Sequence, residues 1–145
     1  MINKIIDAIS IAINSCFGDD YEIYTESVEQ GLQEPCFSIV CVNPNREQFL
    51  KDRYFRTNTF CIHYFPSSDT PKSECMDVYD RLLNALEYIT IDGDKTRGTK
   101  MSGNITDGVL NFLVNYDMFT YKQQTEEESM QEIATNMKVE NGKKE

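Results

Sequence analysis

A chain of 145 residues with 40% hydrophobic and 11% aromatic side chains can pack one core and not two. Its 24 acidic residues against 14 basic ones leave a formal charge of -10. That excludes tight binding to duplex DNA, which needs Lys and Arg to replace phosphate counterions, although DNA could slide past such a surface without adhering.

Five cysteines, Cys16, Cys36, Cys41, Cys61 and Cys75, form no Cys-x-x-Cys pair. They predict free apolar thiols in a reducing cytosol rather than a disulfide framework or a zinc site. Asp7 interrupts the apolar N-terminus and no small-residue cleavage site follows, so no signal peptide is expected. No apolar run approaches the roughly 20 residues that span a bilayer, and a soluble chain with no membrane association follows.

In chain order, Ile2, Ile5, Ile6, Ile9, Ile13 and Phe17 recur at three- and four-residue steps, which predicts a helix with one buried stripe, stopped by Gly18. Residues 21–27 alternate as a strand. Gly31 and Pro35 punctuate the connection that follows. Residues 36–42 are apolar on both pleat faces, the pattern of a strand interior to its sheet and covered on both sides. Asn43-Pro44-Asn45 is expected to break that strand, leaving a polar loop to about Asp52.

Residues 54–65 read as one long strand with a bend near Thr57-Asn58, ended by Pro66. Tyr54, Phe60, Ile62 and Tyr64 share one face; Thr57, Thr59, Cys61, His63 and Phe65 share the other. Asp69 or Thr70 can cap a second helix with Pro71 at its first position. Met76, Tyr79, Leu82, Leu83, Leu86 and Ile89 form its core stripe to about Ile89. Asp92-Gly93-Asp94 is a turn, residues 99–106 a weak strand, and Asp107-Gly108 a hairpin turn. Residues 109–121 make one further strand, with Leu110, Phe112, Val114, Tyr116 and Met118 facing one way.

From Lys122 the composition turns charged, with Glu126-Glu127-Glu128 and a Lys- and Glu-rich end. Met130, Ile133, Ala134 and Met137 could form a short helix that is marginal alone. The reading is therefore one α+β domain over residues 1–121 and a charged tail, flexible or marginally helical, over 122–145. The domain is expected to hold a mainly antiparallel sheet of four to five strands, with both helices on one face.

No catalytic constellation emerges. His63, the single histidine, has no local carboxylate or nucleophile to work with, and a structural hydrogen bond explains it better. An EF-hand loop begun at Asp92 would need Glu at its twelfth position, where Gly103 stands. The Asp19/Asp20 and Asp77/Asp80 pairs are expected by chance in so acidic a chain, and Cys61 and Cys75 lack any nucleophile signature. No glycine-rich phosphate loop occurs. Neither a cofactor nor a metal is expected. Arg46, Lys51, Arg53 and Arg56 are the one local break in the negative field. They read either as a solvated loop or as a docking patch for an acidic neighbouring subunit. The surplus of apolar sheet over what two helices can cover points to a ring-forming subunit.

Four stretches in this order, spread over residues 2–121, resemble the phage tail terminator family, most closely the contractile-tail type of Gram-positive phages and defective prophages. They are the Ile-rich first helix; Gly31-Leu32-Gln33-Glu34-Pro35-Cys36-Phe37; Arg53-Tyr54-Phe55-Arg56 with Ile62-His63-Tyr64-Phe65-Pro66; and Asp107-Gly108-Val109-Leu110-Asn111-Phe112. The resemblance implies a non-enzymatic virion component, assembled in the bacterial host cytoplasm as a hexameric ring. Such a ring caps the tail tube, stops its polymerisation and offers the neck or head a joining surface. The tube protein, and in a contractile tail the sheath, would be its partners, in a DNA-carrying phage or a headless, bacteriocin-like particle. A neck or tail-completion protein on the head side, a cytosolic adaptor unrelated to phages, and an enzyme using acidic residues are the other readings.

Overall fold

A computed structural model describes residues 1–26 and 31–122. The elements run α1 (Ile2–Phe17), β1 (Glu22–Tyr24), β2 (Cys36–Leu50), β3 (Arg53–Phe65), α2 (Pro71–Ala85), β4 (Tyr88–Ile91), β5 (Asp94–Arg97), β6 (Thr99–Thr106), β7 (Val109–Asn115) and β8 (Met118–Tyr121). The class is α+β. The main sheet has six strands rather than four to five, in the order β1-β2-β3-β7-β6 with β8 also on β3. Every pairing in it is antiparallel except β1 with β2.

The even-numbered residues of β3 set the core. Phe60, Ile62 and Tyr64 face the same side as Phe37 and Ile39 of β2 and Leu110, Phe112 and Val114 of β7. Ile5, Ile9, Ile13 and Phe17 of α1 and Cys75, Val78 and Leu82 of α2 close that side, all buried in one cluster. Both helices therefore cover one face, as their apolar stripes predict. Burying side chains of this size stabilises by about 1.5–3 kcal/mol each, which makes this layer the source of the fold's stability.

Several boundaries differ from the sequence reading. Helix α2 stops at Ala85 rather than near Ile89, because Tyr88–Ile91 pairs with Asp94–Arg97 as a separate hairpin. The hairpin's turn, Asp92-Gly93, holds φ of 53° and 84°, the left-handed pair a two-residue connection requires. Ile89 and Ile91 still reach the core, but from this hairpin. Met76 is 43% exposed; the stripe of α2 runs through Cys75, Val78 and Leu82 instead.

Thr70 makes no side-chain cap to α2. Glu74 instead ties the segment before the helix to its first turn, accepting from the Tyr64 hydroxyl and from the backbone N–H groups of Ser67 and Ser68 at 3.3 and 2.9 Å. Burial pushes its carboxyl up, but the hydrogen bonds from Ser68, Tyr64 and Ser67 outweigh that and hold it below the usual range. Burial first, and then the Glu74 contact, pushes the Tyr64 phenol far up.

The strand expected over residues 109–121 is divided at Tyr116-Asp117, yet β7 and β8 keep one register against β3: Thr59 opposes Asn115 and Arg56 opposes Met118. At the interruption the buried Asn58 donates from Nδ2 to the Tyr116 carbonyl (3.0 Å) and from its backbone to Asp117 Oδ1 (3.2 Å). The Tyr116 hydroxyl donates to the Leu86 carbonyl at 2.6 Å, tying the sheet to the end of α2. The expected helix at Met130 to Met137 lies outside the described residues.

Candidate assembly interface

The largest departure from the sequence reading lies in residues 43–50. No loop forms there. Strand β2 continues through Asn43, Pro44 and Asn45 to Leu50 and pairs with β3 throughout. Pro44 is tolerated because β1 flanks β2 only at Cys36, Phe37 and Ser38, so beyond them β2 is an edge whose outer backbone groups meet no strand among the described residues. For the same reason β2 is not covered on both sides: Val40 and Val42 are 42% and 50% exposed.

Every residue from Val42 to Leu50 is exposed. Together with Arg53–Asn58 and β8 they build a three-stranded arm continuous with the sheet but outside the buried cluster. Two β-bulges interrupt the β2–β3 register, between Cys41 and Asn43 and between Gln48 and Leu50. Their extra residues, Val42 and Phe49, are both apolar and exposed, and bulges are a common device for re-aiming side chains at functional edges. The tip turns at Lys51, whose φ of 46° is unusual for a residue with a side chain. Gln48 Nε2 donates to the Lys51 carbonyl at 2.9 Å, and the Lys122 N–H to the Asp52 carbonyl at 2.7 Å.

The four basic residues singled out in the sequence fall on three surfaces of this arm. Arg46 and Arg56 stand directly opposite each other in the register, on the helix-side face. Arg46 lies over the Tyr54 ring at 4.2 Å. Both line a cleft of about 430 Å³ with Met1, Lys4, Thr120, Tyr121 and Lys122. Like charges so opposed repel, and neither Arg has a carboxylate partner among the described residues, where the Lys4–Asp92 pair (2.8 Å) is the ion pair found. Lys51 sits at the turn.

Arg53 is on the opposite face, 4.1 Å over Phe119 and 5.3 Å over Phe49. Phe119 in turn packs on Phe49 and Phe55, at centroid distances of 5.3 and 4.9 Å. Among the described residues this face carries no helix. A cluster of one arginine and three phenylalanines, with Leu50 and Tyr121 62% and 69% exposed beside it, has the composition of a binding hot spot. Sequence reasoning missed Phe49, Phe55 and Phe119. Period-two alternation through Arg53 and Phe55 was a usable signal, but Phe119 arrives from a strand 64 positions later in the chain than Phe55.

Farther along the same uncovered face, His63 Nδ1 lies 2.7 Å from Asn111 Oδ1, and Asn111 Nδ2 donates to Asn104 Oδ1 at 3.2 Å. Because the Asn111 amide gives its NH₂ to Asn104, its oxygen accepts and His63 Nδ1 carries the proton. That is the structural hydrogen bond expected for this histidine. Burial pushes the Cys36, Cys41, Cys61 and Cys75 thiols up, which makes them poor nucleophiles.

Over residues 4–128 the sequence matches the phage tail terminator protein family. The chain belongs to that family. It is therefore a structural tail protein and not an enzyme. No curated protein matches it significantly. Among solved structures it is similar to the sheath/tube terminator of PVC, an extracellular contractile injection system, determined in its extended state by cryo-electron microscopy. The two share 13% identity and a TM-score of 0.50, over 99% of this chain and 73% of that one. At that identity the likeness concerns the fold. The family match runs past β8, so this terminator includes residues up to 128 in its family region.

Proposed function

We propose that this tail terminator assembles as a hexameric ring that caps the tail tube, halts its polymerisation and presents the surface on which the neck or head is joined. The observation that supports this reading is the arm with the sheet face that the described residues leave uncovered. Among the described residues this family member has an open strand edge from Ile39 to Leu50 and exposed Val40, Val42, Phe49, Leu50, Phe119 and Tyr121, a surface that other subunits can cover. The edge and the phenylalanine cluster suit contact with adjacent copies and the last tube ring. Arg46, Lys51, Arg53 and Arg56 add charge complementarity that fixes orientation. The fold shared with a sheath/tube terminator supports sheath as a second partner and a contractile particle as the setting.

Residues 1–121 act as the assembling domain and 122–145 as a charged appendage. Assembly takes place in the host bacterial cytoplasm, and the net charge of -10 keeps any lumen-facing surface from holding DNA.

Negative-stain electron microscopy of particles made with and without the chain tests the proposal. Overlong or ragged tubes in its absence, returned to uniform length when it is supplied, are expected. Tubes of normal length that lack a neck would transfer the protein to the head side of the joint, and unaltered particles would end the assignment.

A further inference from the structure

The cleft at the base of the arm collects positive charge in a chain that is otherwise strongly acidic. Arg46 and Arg56 oppose each other across β2 and β3, Lys122 and Met1 complete the rim, and Lys4 reaches it while paired to Asp92. Two guanidinium groups placed directly opposite, with no carboxylate among the described residues, repel unless an anion lies between them.

Anionic side chains follow a few residues on in the sequence. Strand β8 ends at Tyr121, and Lys122, held by its N–H to the Asp52 carbonyl, is itself part of the cleft wall. The described residues therefore end at the rim of the chain's own basic cleft. Glu126, Glu127 and Glu128 follow four to six residues later. Four residues reach about 14 Å at full extension, enough to turn back over the cleft, and a tether this short gives the acidic groups a high effective concentration there. The family match also continues to residue 128, taking in all three glutamates.

We propose that the segment Glu126-Glu127-Glu128 docks in the cleft of its own chain, with its carboxylates between Arg46 and Arg56. The free subunit then carries its basic docking patch covered, and an acidic surface on a neighbour has to displace the segment to engage it. The occupancy itself rests on charge and chain path rather than on the tail-capping reading.

Zero-length carbodiimide crosslinking of the free full-length subunit, followed by peptide mass spectrometry, reads the contact directly. Lys4 is the reporter. Its link to Asp92, across the existing 2.8 Å pair, certifies the fold in every sample. A Lys4 link to Glu126, Glu127 or Glu128 is expected, and it should disappear in the R46Q/R56Q double variant while the Lys4–Asp92 link persists. A Lys4–Asp92 link alone in the wild-type chain overturns the proposal. So does a glutamate link that survives R46Q/R56Q, since the tether alone would then explain it. Mixing isotopically light and heavy protein separates the remaining case: links joining light to heavy chains would place the segment on a second copy and overturn the same-chain occupant. Because no tube is present, failure here leaves tail capping standing, and failure of capping leaves this result untouched.

Discussion

Strand β3 passes through two regions built on opposite terms. In its second half Phe60, Ile62 and Tyr64 are at most 1% exposed, held between the sheet and two helices. In its first half Arg53, Tyr54, Phe55 and Arg56 are only partly covered, and their strand neighbours Phe49 and Phe119 are 54% and 45% exposed. Backbone pairing is continuous across the boundary, so hydrogen bonding does not distinguish the halves. Apolar burial does. The body buries its own apolar groups, whereas the arm has strands, bulges and aromatic groups in place but lacks, among the described residues, the surface that would bury them.

Truncation tests that contrast most strongly. Phe112→Ala empties a fully buried site and should lower stability by about 3–5 kcal/mol, read as a large fall in the denaturant midpoint. Phe119→Ala removes a ring of the same size from the arm, and its cost should stay within about 1 kcal/mol. Yet F119A, and the charge reversal R53E/R56E, should leave tubes uncapped. An F119A variant as unstable as F112A would show that the arm belongs to the core; normal capping by R53E/R56E would remove the basic residues from the interface.

Overpacking comes next. A Cβ on Gly98 would lie 2.6 Å from the Leu86 carbonyl oxygen and 2.9 Å from Val114 Cγ2, both fixed by the body. Gly98→Ala should therefore cost about 1–3 kcal/mol by urea titration, with tubes still capped by whatever folds. A neutral result would mean that the body yields more than its packing implies.

The Tyr64–Glu74 contact gives a smaller, pH-dependent effect. Glu74's carboxyl is held below its ordinary range in the folded chain, so its contribution is present above the unfolded value of about 4.3 and is lost as pH falls through the folded one. Tyr64→Phe removes one of the donors responsible. At neutral pH it should cost about 1–2 kcal/mol, and the gap to wild type should narrow in acid. A gap independent of pH would assign the loss to packing of the ring alone.

How much of this could be read from the sequence follows the same division. In the body, period and punctuation agreed with packing: the α1 stripe, the faces of residues 54–65, and the turns Asp92-Gly93 and Asp107-Gly108 all fall where the residues placed them. The arm differs because Asn43-Pro44-Asn45 has the composition of a break, and what makes it admissible in a strand is that no described strand flanks its outer side. Arg46 and Arg56 stand out in the sequence only as two of four basic residues with Lys51 and Arg53; that they oppose each other depends on the bulge at Val42, which shifts the register by one residue. The phenylalanine cluster depends on β8 joining β3, a long-range pairing with no local signal.

The finest discrimination is a charge effect confined to the arm. Replacing Arg56 by Gln relieves a like-charge pair, so with an empty cleft it should stabilise the chain by a few tenths of a kcal/mol up to about 1. With the acidic segment docked, the same change removes an attraction and should destabilise by a similar amount. Both effects involve solvent-accessible charges, and both fade as the screening length falls from about 10 Å at 0.1 M salt to about 3 Å at 1 M. Urea melts at low and high salt therefore give a sign to read rather than a magnitude. R56Q below wild type at low salt and level with it at high salt is expected; R56Q above wild type at low salt would mean that the cleft stands empty. F112A, whose cost is apolar, should keep the same deficit at both salts. A salt-dependent change in the arm beside a salt-independent one in the body would separate the half of β3 that folding completes from the half that assembly completes.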